Sequence, residues 1–279
     1  MLKNEEFCVD LIELNYDKIA IMPTIIKNKH QIQGIKKSCL LLNKVMERIK
    51  NDIKSGITSR GIDRKAENMI LKFGATPAFK GVYGPPPYPA TLCISINEEI
   101  VHGIPSKRTF KKNDLVSIDC GLIYHGFYSD AAFSVVLDEE TEKQDNLMKA
   151  TRWSMFDGID QAVAGNTVGH ISHAIQTRVQ SLGCDVVKVL FGHGVGLALH
   201  EDPPIYNYGK PGDGITLKPG MVLAIETMVV AGKDKVKTLD DGWTVVTADG
   251  QDACHFEETV LVTNDAPEIL TNVNEDDRP

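Results

Sequence analysis

The chain has 279 residues, with 42% hydrophobic and 24% charged residues and a formal net charge of −8 at pH 7. That length is ample for a well-buried core, and that charge excludes a generic attraction to nucleic acid or to an anionic membrane. No apolar run approaches the roughly 20 residues of a membrane helix, and the acidic start Met1–Cys8 lacks the apolar centre of a signal peptide.

Residues 1–27 show no sustained period and are expected to form an extension on a single domain covering 28–279. From Ile32 the apolar positions Ile35, Cys39, Leu42, Met46, Ile49 and Ile53 follow at steps of three and four, which predicts an amphipathic helix packed on its own domain. A second helix is expected from Ser59 to Phe73, with Ser59 as its N-cap and Gly74 just past its end. The stretch 81–89, with Pro85, Pro86 and Pro87 in succession, reads as a loop. Thr91–Asn97 alternates like a strand. Residues 140–164 and 169–182 read as two helices, the latter stopped by Gly183. A short strand from Val186 to Phe191 opens onto Gly192-His193-Gly194-Val195-Gly196, and residues 221–262 are strand-rich.

The centre of interest is Leu115–Leu137. It reads as a hairpin turning at Tyr124-His125-Gly126, with one aspartate on each strand. A two-residue loop pairs odd positions with even ones, so Asp119 and Asp130 fall on one face, opposite or nearly so. Two like charges so placed repel unless a shared proton, an arginine or bound cations neutralise them.

The hairpin has a weaker twin. Phe110–Asp119 resembles Leu217–Glu226 position by position, each with a lysine eight residues before a strand-ending carboxylate. Asp130 and Glu257 bring a further acid to each half, and Gly56–Ile62 matches Gly165–Ile171 at Gly, Thr and Ile. The pattern predicts a duplicated helix–helix–strand–strand unit whose carboxylates converge between the halves. Acids in strands this apolar are costly to bury unpaired, and no lysine or arginine interrupts Leu115–Ser134 or Met221–Val230. Four carboxylates with His193, presented between glycines, suit two divalent ions a few ångströms apart. His102 and His200, each in a turn after a strand-like run, suit proton transfer and carbonyl polarisation beside such a site. A phosphate loop is excluded, since Gly192–Gly196 lacks Lys-Ser, and no G-x-S-x-G elbow is present. The cysteines Cys8, Cys39, Cys93, Cys120, Cys184 and Cys254 form no C-x-x-C pair, which predicts reduced thiols in a cytoplasmic protein.

Seven segments together, Cys93–Asn97, Val101–Pro105, Val116–Asp119, Gly192–Gly196, Leu217–Met221, Asp241–Thr244 and Phe256–Thr259, resemble the type I methionine aminopeptidases from about residue 30 to 272. The resemblance implies the α/β (α+β) pseudo-twofold pita-bread fold, an antiparallel curved sheet covered by helices. It implies Asp119, Asp130, His193, Glu226 and Glu257 as ligands of two divalent metals (cobalt, manganese, iron or zinc), with Glu257 rather than Glu258 facing them. It also implies His102, His200 and Glu226 in catalysis, and Tyr88, Cys93 and Trp243 with the two histidines around the substrate methionine. The implied reaction is removal of the initiator methionine from nascent chains, with small second residues favoured. The expected protein is a cytoplasmic monomer that binds neither DNA nor membrane. Lys233, Lys235 and Lys237 offer a small basic face toward a ribosome, although a solvated turn is the plainer account. Two departures stand out: Thr227 follows Glu226 where the family commonly has proline, and Leu199 precedes His200 where an aromatic is frequent. The rivals are a proline-specific aminopeptidase of the same fold and a non-catalytic relative that grips nascent chains.

Overall fold

The structure is a computed structural model and describes residues 24–82 and 86–274. The expected extension therefore falls largely outside the described residues, as does Pro85. In chain order the elements are α1 (Lys29–Asp52), α2 (Ser59–Lys72), β1 (Thr76–Pro77), β2 (Leu92–Ile96), β3 (Glu99–Val101), β4 (Leu115–Tyr124), β5 (Phe127–Val136), α3 (Glu142–Asp160), α4 (Val168–Ser181), β6 (Asp185–Val186), β7 (Phe191–Gly194), β8 (Glu201–Tyr206), β9 (Val222–Val230), β10 (Val236–Thr238), β11 (Val245–Thr247), β12 (Ala253–Leu261) and β13 (Glu268–Ile269). Among the described residues no helix is long and apolar enough to cross a membrane.

Helix α1 forms where the three-four stripe predicts it. Asn28 and Gln31 cap its start reciprocally, each side chain accepting from the other's backbone N–H at 3.0 and 2.8 Å. Its buried face is Ile35, Cys39, Leu42, Val45, Met46 and Ile49, each fully shielded. Burying one such Leu or Ile contributes about 1.5–3 kcal/mol. Two expectations need correction. The cap of α2 is Thr58, whose hydroxyl accepts the Gly61 N–H at 3.2 Å, while the Ser59 hydroxyl accepts instead from the Ser106 N–H at 2.8 Å. Val186–Phe191 is not one strand but the end of β6 and the start of β7: the Val187 N–H still donates to Met228 O at 3.0 Å, and the chain then bends at Lys188-Val189 before β7.

The main sheet is antiparallel, with the order β1-β4-β5-β12-β9-β7-β8; β2 also pairs with β4, β6 with β9 and β13 with β12. A second sheet, β10-β11-β3, lies beside it. One face of the large sheet, with Ile118, Cys120, Phe133, Ile225 and Phe256, joins residues of all four helices in the main core. The opposite face carries Asp119, Asp130, Glu226 and Glu257.

The internal duplication is visible in hydrogen bonds. In the first half Thr58 bridges Thr109, Gly56 N–H donates to Phe110 O and Phe110 N–H donates to Ile57 O. In the second half Thr167 bridges Thr216, Gly165 N–H donates to Leu217 O and Leu217 N–H donates to Asn166 O. Each threonine is the N-cap of the helix that follows it. The halves meet at the β5–β12 seam, where Ala132 pairs with Glu257.

Candidate metal centre

Strand register assembles the site. Cys93 of β2 pairs with Asp119, Asp119 with Ala132, Ala132 with Glu257, and Glu257 with Glu226, giving one row across five strands. Asp130 sits two residues before Ala132 on the same face of β5, opposite Gly121, so it is diagonal to Asp119. His193 pairs with Ala224, two residues before Glu226. The five residues singled out from the sequence thus converge on one cavity of about 80 Å3, and His102 and His200 line the same space.

The electrostatics are those of an uncompensated acidic cluster. Ligand-type atoms of the buried Asp130, His193 and Glu257 all lie within 4.8 Å of one another. Asp119 Oδ1, Asp130 Oδ1 and Glu257 Oε1 are shielded from water and have no hydrogen-bond partner. Burial, with the neighbouring carboxylates adding to it, pushes all three groups well above the usual carboxylate range. The described lining contains no lysine or arginine. Buried oxygens that no protein donor satisfies are the donor set a hard divalent cation requires, so the residues fit metal ions.

The three histidines differ in their surroundings. His193 Nδ1 lies 2.9 Å from Gly194 O, which leaves Nε2 facing the acids, 3.7 Å from Glu226 Oε1. The His200 ring stacks edge-on against His193, with centroids 4.3 Å apart. His102 takes a left-handed backbone (φ 60), which a non-glycine residue adopts only when its surroundings enforce it. The enforcement comes from Gly103, where a Cβ would stand 2.2 Å from Ile94 O, so the chain turns flat against β2. Burial lowers the His102 pKa to about 4 and takes that of His200 well below its ordinary value, so both rings are neutral at pH 7.

The expected pocket residues are also together. Tyr88 packs edge-on against Trp243 (5.2 Å) and His102 against the same indole (6.2 Å). Tyr88 donates its hydroxyl hydrogen toward Leu92 O and Gly103 O, at 2.9 and 3.0 Å, which turns the ring edge into an apolar wall. Cys93, Phe79 and Leu199 join the same cluster. Leu199 therefore keeps the wall apolar where an aromatic is frequent. Thr227 donates its hydroxyl to Thr151 O at 3.0 Å, tying β9 to α3 at the step where proline is common.

Sequence reasoning missed His255. It lies on the same face of β12 as Glu257, two residues away, with Nε2 3.3 Å from Glu226 Oε2 and no aligned hydrogen-bond partner. Strand parity was the available signal. Glu258 points to the other face, where Oε1 accepts from the backbone and side-chain N–H groups of Asn274 at 2.8 and 3.0 Å.

Comparison with known proteins is consistent throughout. Residues 33–264 match the metallopeptidase family M24. A methionine aminopeptidase of Clostridium perfringens is 46% identical over 247 residues, 88% of this chain and 98% of that protein. The crystal structure of a methionine aminopeptidase from Thermotoga maritima superposes with a TM-score of 0.86 at 40% identity, covering 89% of this chain and 99% of that one. Prolidase from Pyrococcus furiosus shares the fold with a TM-score of 0.72 at 26% identity, and the chain spans 65% of its length.

Proposed function

The chain belongs to metallopeptidase family M24 and, within it, to the methionine aminopeptidases, and we propose how its own residues remove an initiator methionine. The observation that carries the reading is the row Asp119–Ala132–Glu257–Glu226, flanked by Asp130 and His193, in which Asp119, Asp130 and Glu257 each carry a buried oxygen without a partner. Asp119, Asp130, His193, Glu226 and Glu257 hold two divalent cations, with cobalt, manganese, iron and zinc all compatible with an oxygen-rich set containing one imidazole. When bound, such cations lower the pKa of water and polarise the scissile carbonyl.

The protein groups do the rest. Tyr88, Cys93 and Trp243, which line one cavity with the acids, receive the methionine side chain, and the free α-amino group, as the neutral amine, would lie at the metal end. Glu226 accepts the proton of the attacking water at a carboxylate oxygen. Neutral His200 donates a hydrogen bond to the carbonyl oxygen of the scissile bond, and neutral His102 passes a proton at the leaving amide. Small second residues are favoured, as the resemblance to the methionine aminopeptidases implies. The partner is the amino terminus of a newly made chain in the cytoplasm. Lys233, Lys235 and Lys237 are exposed around β10, as a solvated turn would be, and a basic face toward a ribosome is the second reading.

The test compares Met-Ala-Ser with Ala-Pro-Ser on protein loaded with manganese. Faster cleavage of the proline peptide refutes the assignment. Metal titration with elemental analysis checks the count of two ions, and Asp119→Asn or His193→Ala should abolish both uptake and turnover. Ribosome co-sedimentation and sedimentation velocity check the partner and the monomeric state.

A further inference from the structure

Lys27 stands immediately before the cap of α1, yet its side chain does not run out into water. It turns inward, 1% exposed, and its ammonium lies 2.6 Å from Oε2 of Glu201, which is 0% exposed. Burial pulls the ammonium's pKa down, and the Glu201 carboxylate raises it part of the way back. A buried ion pair is a weak source of stability, because desolvating both charges offsets most of their attraction. The second oxygen of Glu201 gives the pair another purpose. Oε1 accepts the backbone N–H of Leu197 at 2.7 Å and of Ala198 at 3.2 Å. Those two residues lie in the crossing from β7 to β8, which leaves from His193-Gly194 and ends at His200.

The crossing has little slack. Gly196 takes a φ of +134°, and a Cβ there would stand 2.4 Å from Ile35 Cδ1 and 3.3 Å from Lys27 Cε. The Gly196 carbonyl accepts the Tyr128 N–H at 2.8 Å, and the Lys27 N–H donates to Gly220 O at 2.8 Å. Main chain and side chain of Lys27 are therefore both fixed, and the ammonium is a stationary anchor.

We propose that Lys27 and Glu201 are positioning residues for His200: the ion pair clamps the crossing 195–200 and so holds the His200 imidazole against His193 at the cavity. Neither residue belongs to the cavity lining. The action passes from ammonium to carboxylate, from carboxylate to two backbone amides, and from those amides to the ring a few atoms further on. Displacing that ring by an ångström would slow the chemical step without touching the acids. The inference rests on the substrate-facing role given to His200 above.

The experiment uses Lys27→Met and the uncharged double variant Lys27→Met/Glu201→Gln, each in the parent and in a His200→Ala background, with Met-Ala-Ser as substrate. The glutamine holds the two amides more weakly than a carboxylate and has no ammonium to anchor it. In the parent background kcat falls by about tenfold or more, KM moves less than about twofold, and manganese binding by calorimetry is unchanged. In the His200→Ala background the same changes lower kcat by less than about twofold, since the group being positioned is gone. Should Lys27→Met not fold, the double variant, which buries no unpaired charge, decides. Parental kcat in the double variant, an equal loss in both backgrounds, or a matching loss of manganese binding overturns the clamp. Parental activity in His200→Ala alone refutes the role of His200 instead, which separates the two failures.

Discussion

Glu226 of β9 and Glu257 of β12 stand directly opposite one another across an antiparallel ladder, at the place where like charges destabilise a sheet. Asp130 adds to the repulsion on Glu257, whose carboxyl is pushed well above its ordinary range by burial first and by these neighbours second. The arrangement is a liability for folding and an asset for cation binding.

Glu257→Gln should therefore stabilise the metal-free protein while destroying its function. At pH 8 the substitution is expected to raise the unfolding free energy by about 1 kcal/mol, with hydrolysis of Met-Ala-Ser lost. Urea unfolding in the presence of a chelator measures it. A less stable variant would show that the carboxylate contributes something to the apo fold beyond repulsion.

The stability of the metal-free protein should fall as pH rises. Asp119, Asp130 and Glu257 have folded-state pKa values raised above those of the unfolded chain, so the native state keeps protons that the unfolded state releases. The loss begins as pH rises through the ordinary carboxylate range, where the unfolded groups ionise, and continues until the folded groups ionise. Thermal melts with chelator between pH 5 and pH 8 should show Tm decreasing, and added manganese should flatten the slope. A Tm that rises across this interval contradicts the sign.

His255 should govern cation affinity without being a ligand. Its Nε2 lies 3.3 Å from Glu226 Oε2, close enough to orient that carboxylate. His255→Ala is expected to weaken manganese binding by roughly tenfold, read by calorimetry, with the circular dichroism spectrum preserved. Unaltered affinity would reduce the contact to packing.

Asp241 should control how tightly methionine is held. Its Oδ1 accepts the N–H groups of Trp243 and Thr244 at 2.9 and 2.8 Å, and Oδ2 accepts the Thr244 hydroxyl at 2.6 Å. Burial opposes its charge, yet these hydrogen bonds prevail and keep its pKa below the usual value. Asp241→Ala frees the turn that presents the indole, and losing about 1 kcal/mol of ordering corresponds to about a fivefold rise in KM. Unchanged KM for Met-Ala-Ser would relieve Trp243 of that role.

What the chain disclosed before folding was local. The two-residue loop at His125-Gly126 fixes strand parity, and parity alone places Asp119 and Asp130 on one face. The duplicated segments around Thr58 and Thr167 disclosed the pseudo-symmetry because each half repeats the same bridge and cap. The β5–β12 seam was not legible, since pairing between distant strands leaves no periodic mark in either. Lys27 was hidden for a similar reason: it precedes the periodic stripe of α1, and its partner lies 174 residues away. The cap of α2 was misplaced by one residue because Thr58 and Ser59 both carry a competent hydroxyl, and only backbone geometry distinguishes them.

The seam has a consequence for the order of events in synthesis. Asp119 and Asp130 belong to the first half, whereas His193, Glu226 and Glu257 arrive with the second, and Glu257 rides on β12, the last long strand described. A growing chain emerges amino end first, so it can fold its first hairpin long before it can close the row. The row is complete only once β12 lies paired between β5 and β9. Without that strand the site lacks Glu257, so a chain still short of β12 has no complete set of ligands to offer.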